Sequence, residues 1–312
     1  GEIYKALNAG FAPKKIVFSG VGKTDYDIRF ALRSEILSLN VESVSELQRI
    51  NKLAGELKKV APVAVRVNPD IDPQTHPYIA TGLKENKFGI DVDEALVVYQ
   101  EAARLANIKV LGISFHIGSQ IVKVEPFVEA LKKILLLIKK LEQRGIRLTF
   151  IDIGGGLGIT YQQEKPPSFQ EFAQALIPFL KNTNYKLILE LGRSIIGNAG
   201  ALVTKVLYVK KKKNKTFVVV DAGMNDLIRP ALYEAYHQIL PVKQKFGSRE
   251  EVIDVVGPIC ESGDFFAQGR KLSLPTEGDY LAIMSAGAYG FSMASNYNAR
   301  LRPAEILVKD DN

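Results

Sequence analysis

The chain has 312 residues, 46% hydrophobic and 24% charged, which is the balance of a globular protein with a sizeable core and excludes global disorder. Its net charge is +7, but the densest basic run, lysines 210–213 with Lys215, lies between two apolar strand-like segments and reads as a solvated hairpin tip, not a nucleic-acid patch. The longest apolar runs fall far short of the ~20 residues of a membrane span. The single cysteine, Cys260, admits no internal disulfide, and His76, His116 and His237 show no metal-ligand spacing. A cytoplasmic protein of about two domains, without a zinc site, is expected.

The first residues, Gly1-Glu2-Ile3-Tyr4-Lys5-Ala6-Leu7, carry neither an initiator Met nor an apolar signal core and read as the middle of something longer. From there to about residue 193, β-branched runs at 16–19, 36–40, 63–68, 110–116, 150–153 and 186–191 alternate with longer amphipathic ones, the pattern of βα units on a parallel sheet. Ser43-x-x-Glu46 and Asp91-x-x-Glu94 resemble capping boxes, and residues 125–144 predict a helix stopped by Gly145. After Arg193 the segments 202–209, 216–220, 252–256, 280–284 and 306–308 are strand-like, so an antiparallel β domain is expected. The predicted division is 1–196 and 197–312. Barrel phosphate sites commonly follow strands 7–8, and the only glycine triplet, Gly154-Gly155-Gly156, follows the fifth of six predicted strands. The expected fold is therefore a (β/α)8 TIM barrel whose first two strands precede Gly1, with a C-terminal antiparallel β domain.

Several segments carry chemistry. Ser19-Gly20-Val21-Gly22-Lys23-Thr24 ends like a P-loop, but Val17 stands where that loop needs glycine, and 153–158 fits the dinucleotide glycine pattern in no register. The triplet supplies a sharp turn and backbone N–H groups for an anion, phosphate above all. His116 sits at the end of a predicted barrel strand, where barrel active sites are built. Glu190 enters the end of an apolar strand, where burial demands a partner, either Arg193 or a protonated ring nitrogen of a ligand. Cys260 and Glu261 share a Gly/Pro-rich loop with Asp264; a buried structural cysteine is the plain reading, though such a loop suits one poorly. Arg229 precedes a stretch holding Tyr233, Tyr236 and His237.

The chain resembles the pyridoxal-phosphate decarboxylases with an alanine-racemase-type barrel, specifically the diaminopimelate decarboxylases. The resemblance rests on Phe18-Ser19-Gly20-Val21-Gly22-Lys23-Thr24, Arg66-Val67-Asn68-Pro69-Asp70, His76-Pro77-Tyr78-Ile79-Ala80-Thr81-Gly82, Lys87-Phe88-Gly89, His116-Ile117-Gly118-Ser119-Gln120, the glycine run 154–158, Glu190-x-Gly192-Arg193, and residues 221–230, 257–264 and 285–290, in family order. It implies pyridoxal 5'-phosphate (PLP) as cofactor. His116 is implied to stack on the pyridine ring and belong to the catalytic set. Ser119, Gly154, Gly155, Gly156, Gly192, Arg193 and Tyr289 are implied around the cofactor, with Glu190 on the ring nitrogen. Arg193, Arg229, Tyr233 and Tyr289 are implied to hold the substrate, Glu261 its distal ammonium, and Cys260 to protonate the carbanion. The family's Cys-Glu loop reaches into the partner subunit's site, implying a homodimer.

Two departures accompany the resemblance. Leu191 replaces the proline of the family's Glu-Pro-Gly-Arg. The family's cofactor-linking lysine lies in a Tyr-Ala-x-Lys-Ala-Asn-like segment, and nothing like it occurs among these 312 residues. The implied activity is decarboxylation of meso-diaminopimelate to L-lysine and CO2. Alternatives are a related ornithine, arginine or carboxynorspermidine decarboxylase, or a catalytically dead, partner-binding homologue.

Overall fold

The computed structural model describes residues 1–72, 87–243 and 249–309. The chain divides into two units, Gly1–Gly158 with Pro166–Leu191, and Ile159–Lys165 with Gly192–Asn312. Against the expected break at 196/197, the chain passes between units at 158/159, 165/166 and 191/192.

The first unit begins with helix α1 (Glu2–Asn8), strand β1 (Val17–Phe18), α2 (Asp25–Arg33), β2 (Ser38–Val41), α3 (Val44–Glu56) and β3 (Ala61–Asn68). It continues with β4 (Ile90–Asp91), α4 (Val92–Arg104), β5 (Ile108–Ser114), α5 (Glu125–Glu142), β6 (Phe150–Asp152), α6 (Phe169–Leu180) and β7 (Lys186–Ile188). The sheet runs in the order β1-β2-β3-β5-β6-β7, with β4 paired to β3 off that path, and every pairing is parallel. All six predicted strands are present; β4, only two residues long, is an addition. Almost every residue of β3 is buried, as a strand covered on both faces requires, whereas Lys186 and Leu187 of β7 are exposed.

Local chemistry sets the helix starts. The Thr24 hydroxyl accepts from Asp27 N while Asp27 accepts from Thr24 N, and Ser168 with Glu171 repeats this box before α6. At α3 the expected box is half made: Ser43 accepts from Glu46 N at 3.2 Å, but the Glu46 carboxylate takes the N–H of Glu42, one residue earlier. The expected box at Asp91 is absent, because Asp91 is held in β4 against Asn68 and its side chain makes no cap bond. Helix α5 buries Phe127, Ala130, Leu131, Ile134, Leu137, Ile138 and Leu141, one stripe at helical spacing. It ends two residues before the predicted limit; Ile146 N returns to Leu141 O past Gly145 at φ +78°.

The second unit carries the short helices α7 (Gly192–Ile196) and α8 (Arg229–Tyr233) and six strands: β8 (Leu202–Lys212), β9 (Lys215–Val220), β10 (Ile239–Pro241), β11 (Glu250–Val256), β12 (Phe265–Ser273) and β13 (Tyr280–Ile283). Their order is β10-β13-β8-β9-β11-β12. The sheet is mixed and not purely antiparallel, since β9 and β11 run parallel. Residues 306–308, expected as a strand, form none; they are exposed and have no strand partner among the described residues. The lysine run is a hairpin end, with Lys212 opposite Lys215. Lys215 pairs with Asp254 at 2.6 Å and Lys211 with Glu251 at 3.6 Å. Val206, Val218, Val220, Ile253, Val255, Phe266 and Ile283 form the unit's core.

Candidate functional site

In the first unit the chain leaves β6 through Gly154-Gly155-Gly156. A Cβ on Gly155 would lie 2.1 Å from Glu190 O, and one on Gly156, at φ +111°, 2.2 Å from Gly118 O. Only glycine lets these backbones approach so closely. Residues 117–121 are zipped to the turn: Ile121 N donates to Gly156 O at 2.8 Å and Gly158 N to Ile121 O at 2.9 Å. This places the segment bearing Ser119 beside the glycines. The N–H groups of Gly154 and Gly155 are spent internally, on Asp152 Oδ1 at 2.9 Å and His116 Nδ1 at 3.2 Å. That differs from the expected open row of donors.

Because the N–H of Gly155 donates to Nδ1, His116 carries any ring proton of its neutral form on Nε2. Burial, and then the nearby charge of Arg66, push its pKa down to about 4. Glu190 is exposed, not buried as expected, and its partners are Ser19, which donates at 3.4 Å, and the carboxyl of Asp152. Asp152 is wholly buried and accepts from Asn40 Nδ2 at 3.1 Å. Burial first, then the charge and hydrogen bond of Glu190, push Asp152 up to about 8. Asp152 therefore keeps its proton at neutral pH.

The other family segments here are scaffolding. Lys23 Nζ donates at 2.7 Å to Gly20 O, Asn40 O and Glu46 Oε1, so the P-loop-like lysine is a buried strut. Glu42 gathers the N–H groups of Gly20 and Gly89 at 3.0 Å and Arg66 Nη1 at 2.8 Å. Arg66 in turn lies over the Phe88 ring, 4.8 Å from its centroid. The segment 76–82 lies outside the described residues.

In the second unit two buried guanidiniums share one aromatic ring. Arg193 donates to Tyr161 Oη at 2.6 Å and stacks 4.8 Å from the Tyr289 centroid; Arg229 stacks 4.5 Å from the Tyr161 centroid. Arg229 opens α8, whose last residue is Tyr233, and its Nη1 meets Nε2 of the buried His237 at 2.8 Å. No carboxylate among the described residues pairs with Arg229, and burial lowers its pKa. Gly192 starts α7 with open space where a Cβ would be.

The loop 257–264 is pinned by Asp264, whose carboxylate takes the N–H groups of Ile259 and Met224, both at 2.6 Å. Cys260 and Glu261 stand exposed on it, so the plain reading of a buried cysteine is wrong. Asn298 Nδ2 donates to Cys260 Sγ at 3.3 Å, and Tyr297 donates its hydroxyl to Glu261.

Residues 1–197 match the family model "Pyridoxal-dependent decarboxylase, pyridoxal binding domain". The diaminopimelate decarboxylase of Aquifex aeolicus is 52% identical over 312 residues, covering 99% of this chain and 74% of the relative. That of Haemophilus influenzae is 51% identical over 312 residues, covering 100% and 75%. The chain belongs to the diaminopimelate decarboxylases. Among solved structures, diaminopimelate decarboxylase from Helicobacter pylori complexed with L-lysine superposes with a TM-score of 0.96 at 46% identity, covering 100% of this chain and 78% of that one. The enzyme from M. jannaschii in co-complex with L-lysine gives 0.91 at 44% identity, covering 97% and 71%.

The residues present fit the pyridoxal phosphate that membership in the diaminopimelate decarboxylases implies. The turn leaves no space for side chains, the half-buried His116 imidazole stands neutral beside it, and Glu190 offers an exposed carboxylate held from behind by Asp152. Asp152 and Tyr161 escaped the sequence analysis, and His237 was noted there only as part of the stretch after Arg229. Asp152 signalled itself only as an acid in the apolar run Phe150-Ile151-Asp152-Ile153. Tyr161 lies in a polar connection and His237 among dispersed histidines, and both acquire meaning through contacts distant in sequence.

Proposed function

We propose that these residues serve the decarboxylation of meso-2,6-diaminopimelate to L-lysine and CO2. When bound, PLP supplies an electron sink for the carbanion left as CO2 departs. In the first unit His116 would stack on the pyridine ring, and Ser119 with the side-chain-free turn of Gly154, Gly155 and Gly156 would surround the phosphate, the N–H groups of Gly154 and Gly155 staying on Asp152 and His116. Glu190 would keep the ring nitrogen protonated, and Asp152, which retains its own proton, would support Glu190 from the buried side. From the second unit Gly192, Arg193 and Tyr289 are assigned to the cofactor as well. Arg193, Arg229, Tyr233 and Tyr289 would hold the distal carboxylate and Glu261 the distal ammonium. Cys260 would hold, on Sγ, the proton that the carbanion carbon receives.

The same reading includes a homodimer in which the loop of Cys260 and Glu261 serves the partner subunit. Exposure of both side chains supports it. It also includes a cytoplasmic location and a cofactor-binding part of 1–196 followed in sequence by a β part of 197–312. The family match over 1–197 supports the division, and no helix of the described residues is long and apolar enough to cross a membrane. Small amino acids, and not nucleic acids, are the partners, since two lysines of the basic hairpin end are paired with acids.

One observation carries the substrate assignment: the guanidinium of Arg229 is buried without a carboxylate among the described residues. A buried cation of this kind wants an anion. Diaminopimelate brings a distal carboxylate, which L-lysine retains, whereas ornithine has only an ammonium at its distal end. Calorimetric titration of the PLP-supplied protein with L-lysine and with cadaverine, identical but for that carboxylate, tests this. The protein is expected to prefer L-lysine at least about tenfold, and Arg229→Ala to abolish the preference, because truncating one partner of a buried charge pair costs about 2–5 kcal/mol. Equal binding of both ligands by the unaltered protein would reject the assignment.

A further inference from the structure

His237 is wholly buried in the second unit, and both ring nitrogens are engaged. Nδ1 lies 2.8 Å from the carbonyl oxygen of Met284, and Nε2 lies 2.8 Å from Nη1 of Arg229. A carbonyl oxygen only accepts and a guanidinium only donates. The hydrogen-bond chemistry therefore leaves one arrangement: Nδ1–H donates to Met284, and the bare Nε2 accepts from Arg229. Tyr161 closes the far side, its ring edge-on to the imidazole with centroids 5.3 Å apart and its face under Arg229.

We propose that His237 is a positioning residue for substrate binding, which acts as a neutral acceptor to aim the guanidinium of Arg229. The Met284 carbonyl fixes the tautomer, the tautomer presents a lone pair to Nη1, and the Tyr161 face bears on the guanidinium plane. A neutral acceptor suits this task better than a carboxylate. It orients Arg229 without neutralising it, so the positive charge stays available for an anionic ligand. An Asp or Glu at this place would compete with a substrate carboxylate.

The charged groups around His237 agree. Arg229 faces Nε2, Arg270 donates to the His237 carbonyl oxygen and stacks on Tyr236, and the charge of Arg193 also acts on the ring. Burial first, and these three cations, hold the imidazole neutral down to about pH 4 against the opposing pull of the Met284 bond. Protonated at Nε2, the ring would turn a donor toward a donor.

This inference rests on the reading of Arg229 as the holder of the distal carboxylate, and the test separates the two. The readout is the preference of the PLP-supplied protein for L-lysine over cadaverine. In His237→Asn the amide still reaches the Met284 carbonyl but falls short of Arg229, and the preference is expected to drop about tenfold. In His237→Gln the side-chain oxygen takes the place of Nε2, and the preference is expected to return to within about threefold of the unaltered protein. A merely structural histidine would weaken both ligands alike and leave their ratio unchanged. A wild-type ratio in His237→Asn, with the ratio lost in Arg229→Ala, overturns the positioning role alone. A ratio unchanged in Arg229→Ala overturns the underlying reading. Nitrogen-15 NMR of the unmutated protein tests the tautomer without any variant: His237 should show a protonated Nδ1 and a bare Nε2 at pH 6, and a protonated Nε2 would contradict the proposal.

Discussion

Asp152 and Glu190 join their carboxyl groups through a hydrogen bond, although one is wholly buried and the other exposed. Such a bond requires a proton on one of them, and burial assigns it to Asp152. The buried acid thereby becomes a donor that steadies an exposed carboxylate, while Asn40 and Gly154 N–H hold its oxygens from behind.

The sign of the resulting pH effect is fixed by linkage. Asp152 is raised from 3.8 to about 8, so between those values the folded protein holds a proton that the unfolded chain has lost. Its contribution to stability is full below pH 3.8 and lost as pH rises through 8. Asp152→Asn removes this proton, and the amide of Asn40, whose Oδ1 has no partner among the described residues, is able to turn and accept from the new side chain. In urea unfolding at pH 5 and pH 7, the variant is expected to gain about 1–3 kcal/mol relative to the unaltered protein over that interval, the limit being about 1.4 kcal/mol per pH unit per proton. A difference independent of pH would show that Asp152 is ionised throughout.

Gly155→Ala tests the turn. The added methyl would meet the Glu190 carbonyl oxygen at 2.1 Å, where backbone and not a flexible side chain is the obstacle. A loss of about 3 kcal/mol or more, or failure to fold, is expected by thermal unfolding, since overpacking that forces backbone to shift costs ~1–3 kcal/mol even in ordinary cores. Gly192→Ala, where nothing lies within 4 Å, should change stability by less than about 1 kcal/mol. Equal effects at the two glycines would refute the close approach.

Cys260→Ala tests the proton donor. The side chain is exposed and its one hydrogen bond among the described residues is from Asn298, so the melting temperature should hardly move. In a protein carrying these 312 residues together with the family's lysine-bearing segment, L-lysine formation should fall about 10²–10⁴-fold. Unchanged product formation would remove Cys260 from the chemistry, and a collapsed melting transition would make it structural.

Much of the fold was legible because periodicity is a local property. The six parallel strands and helix α5 followed from alternation and from the 125–144 stripe. What escaped was set by pairing. Strand β12 contains Gln268 and Gly269 and looks broken in sequence; there its register against β11 shifts, and pairing resumes on both sides. Residues 306–308 are β-branched and apolar enough to predict a strand, but have nothing to pair with among the described residues. The parallel β9–β11 contact that makes the second sheet mixed joins segments more than thirty residues apart and has no sequence signature.

The site divides in the same way. Residues carried by compact motifs, His116, Gly154 to Gly156, Glu190, Arg193, Arg229, Cys260 and Glu261, were all nameable from sequence. Their surroundings were not. Glu190 was expected to be buried with Arg193 or a ligand, and instead it is exposed and bonded to an aspartate from a neighbouring strand. Tyr161 and His237 depend on which ring faces which guanidinium, and that is decided by chain reversal far from either residue.

The central claim is decarboxylation of diaminopimelate, and CO2 release measured beside L-lysine formation tests it most directly. For the protein carrying these 312 residues and the lysine-bearing segment, supplied with PLP, the expected result is one L-lysine per CO2 from meso-diaminopimelate, with ornithine and arginine turned over at least about a hundredfold more slowly. Comparable turnover of ornithine or arginine, or CO2 without L-lysine, would contradict it.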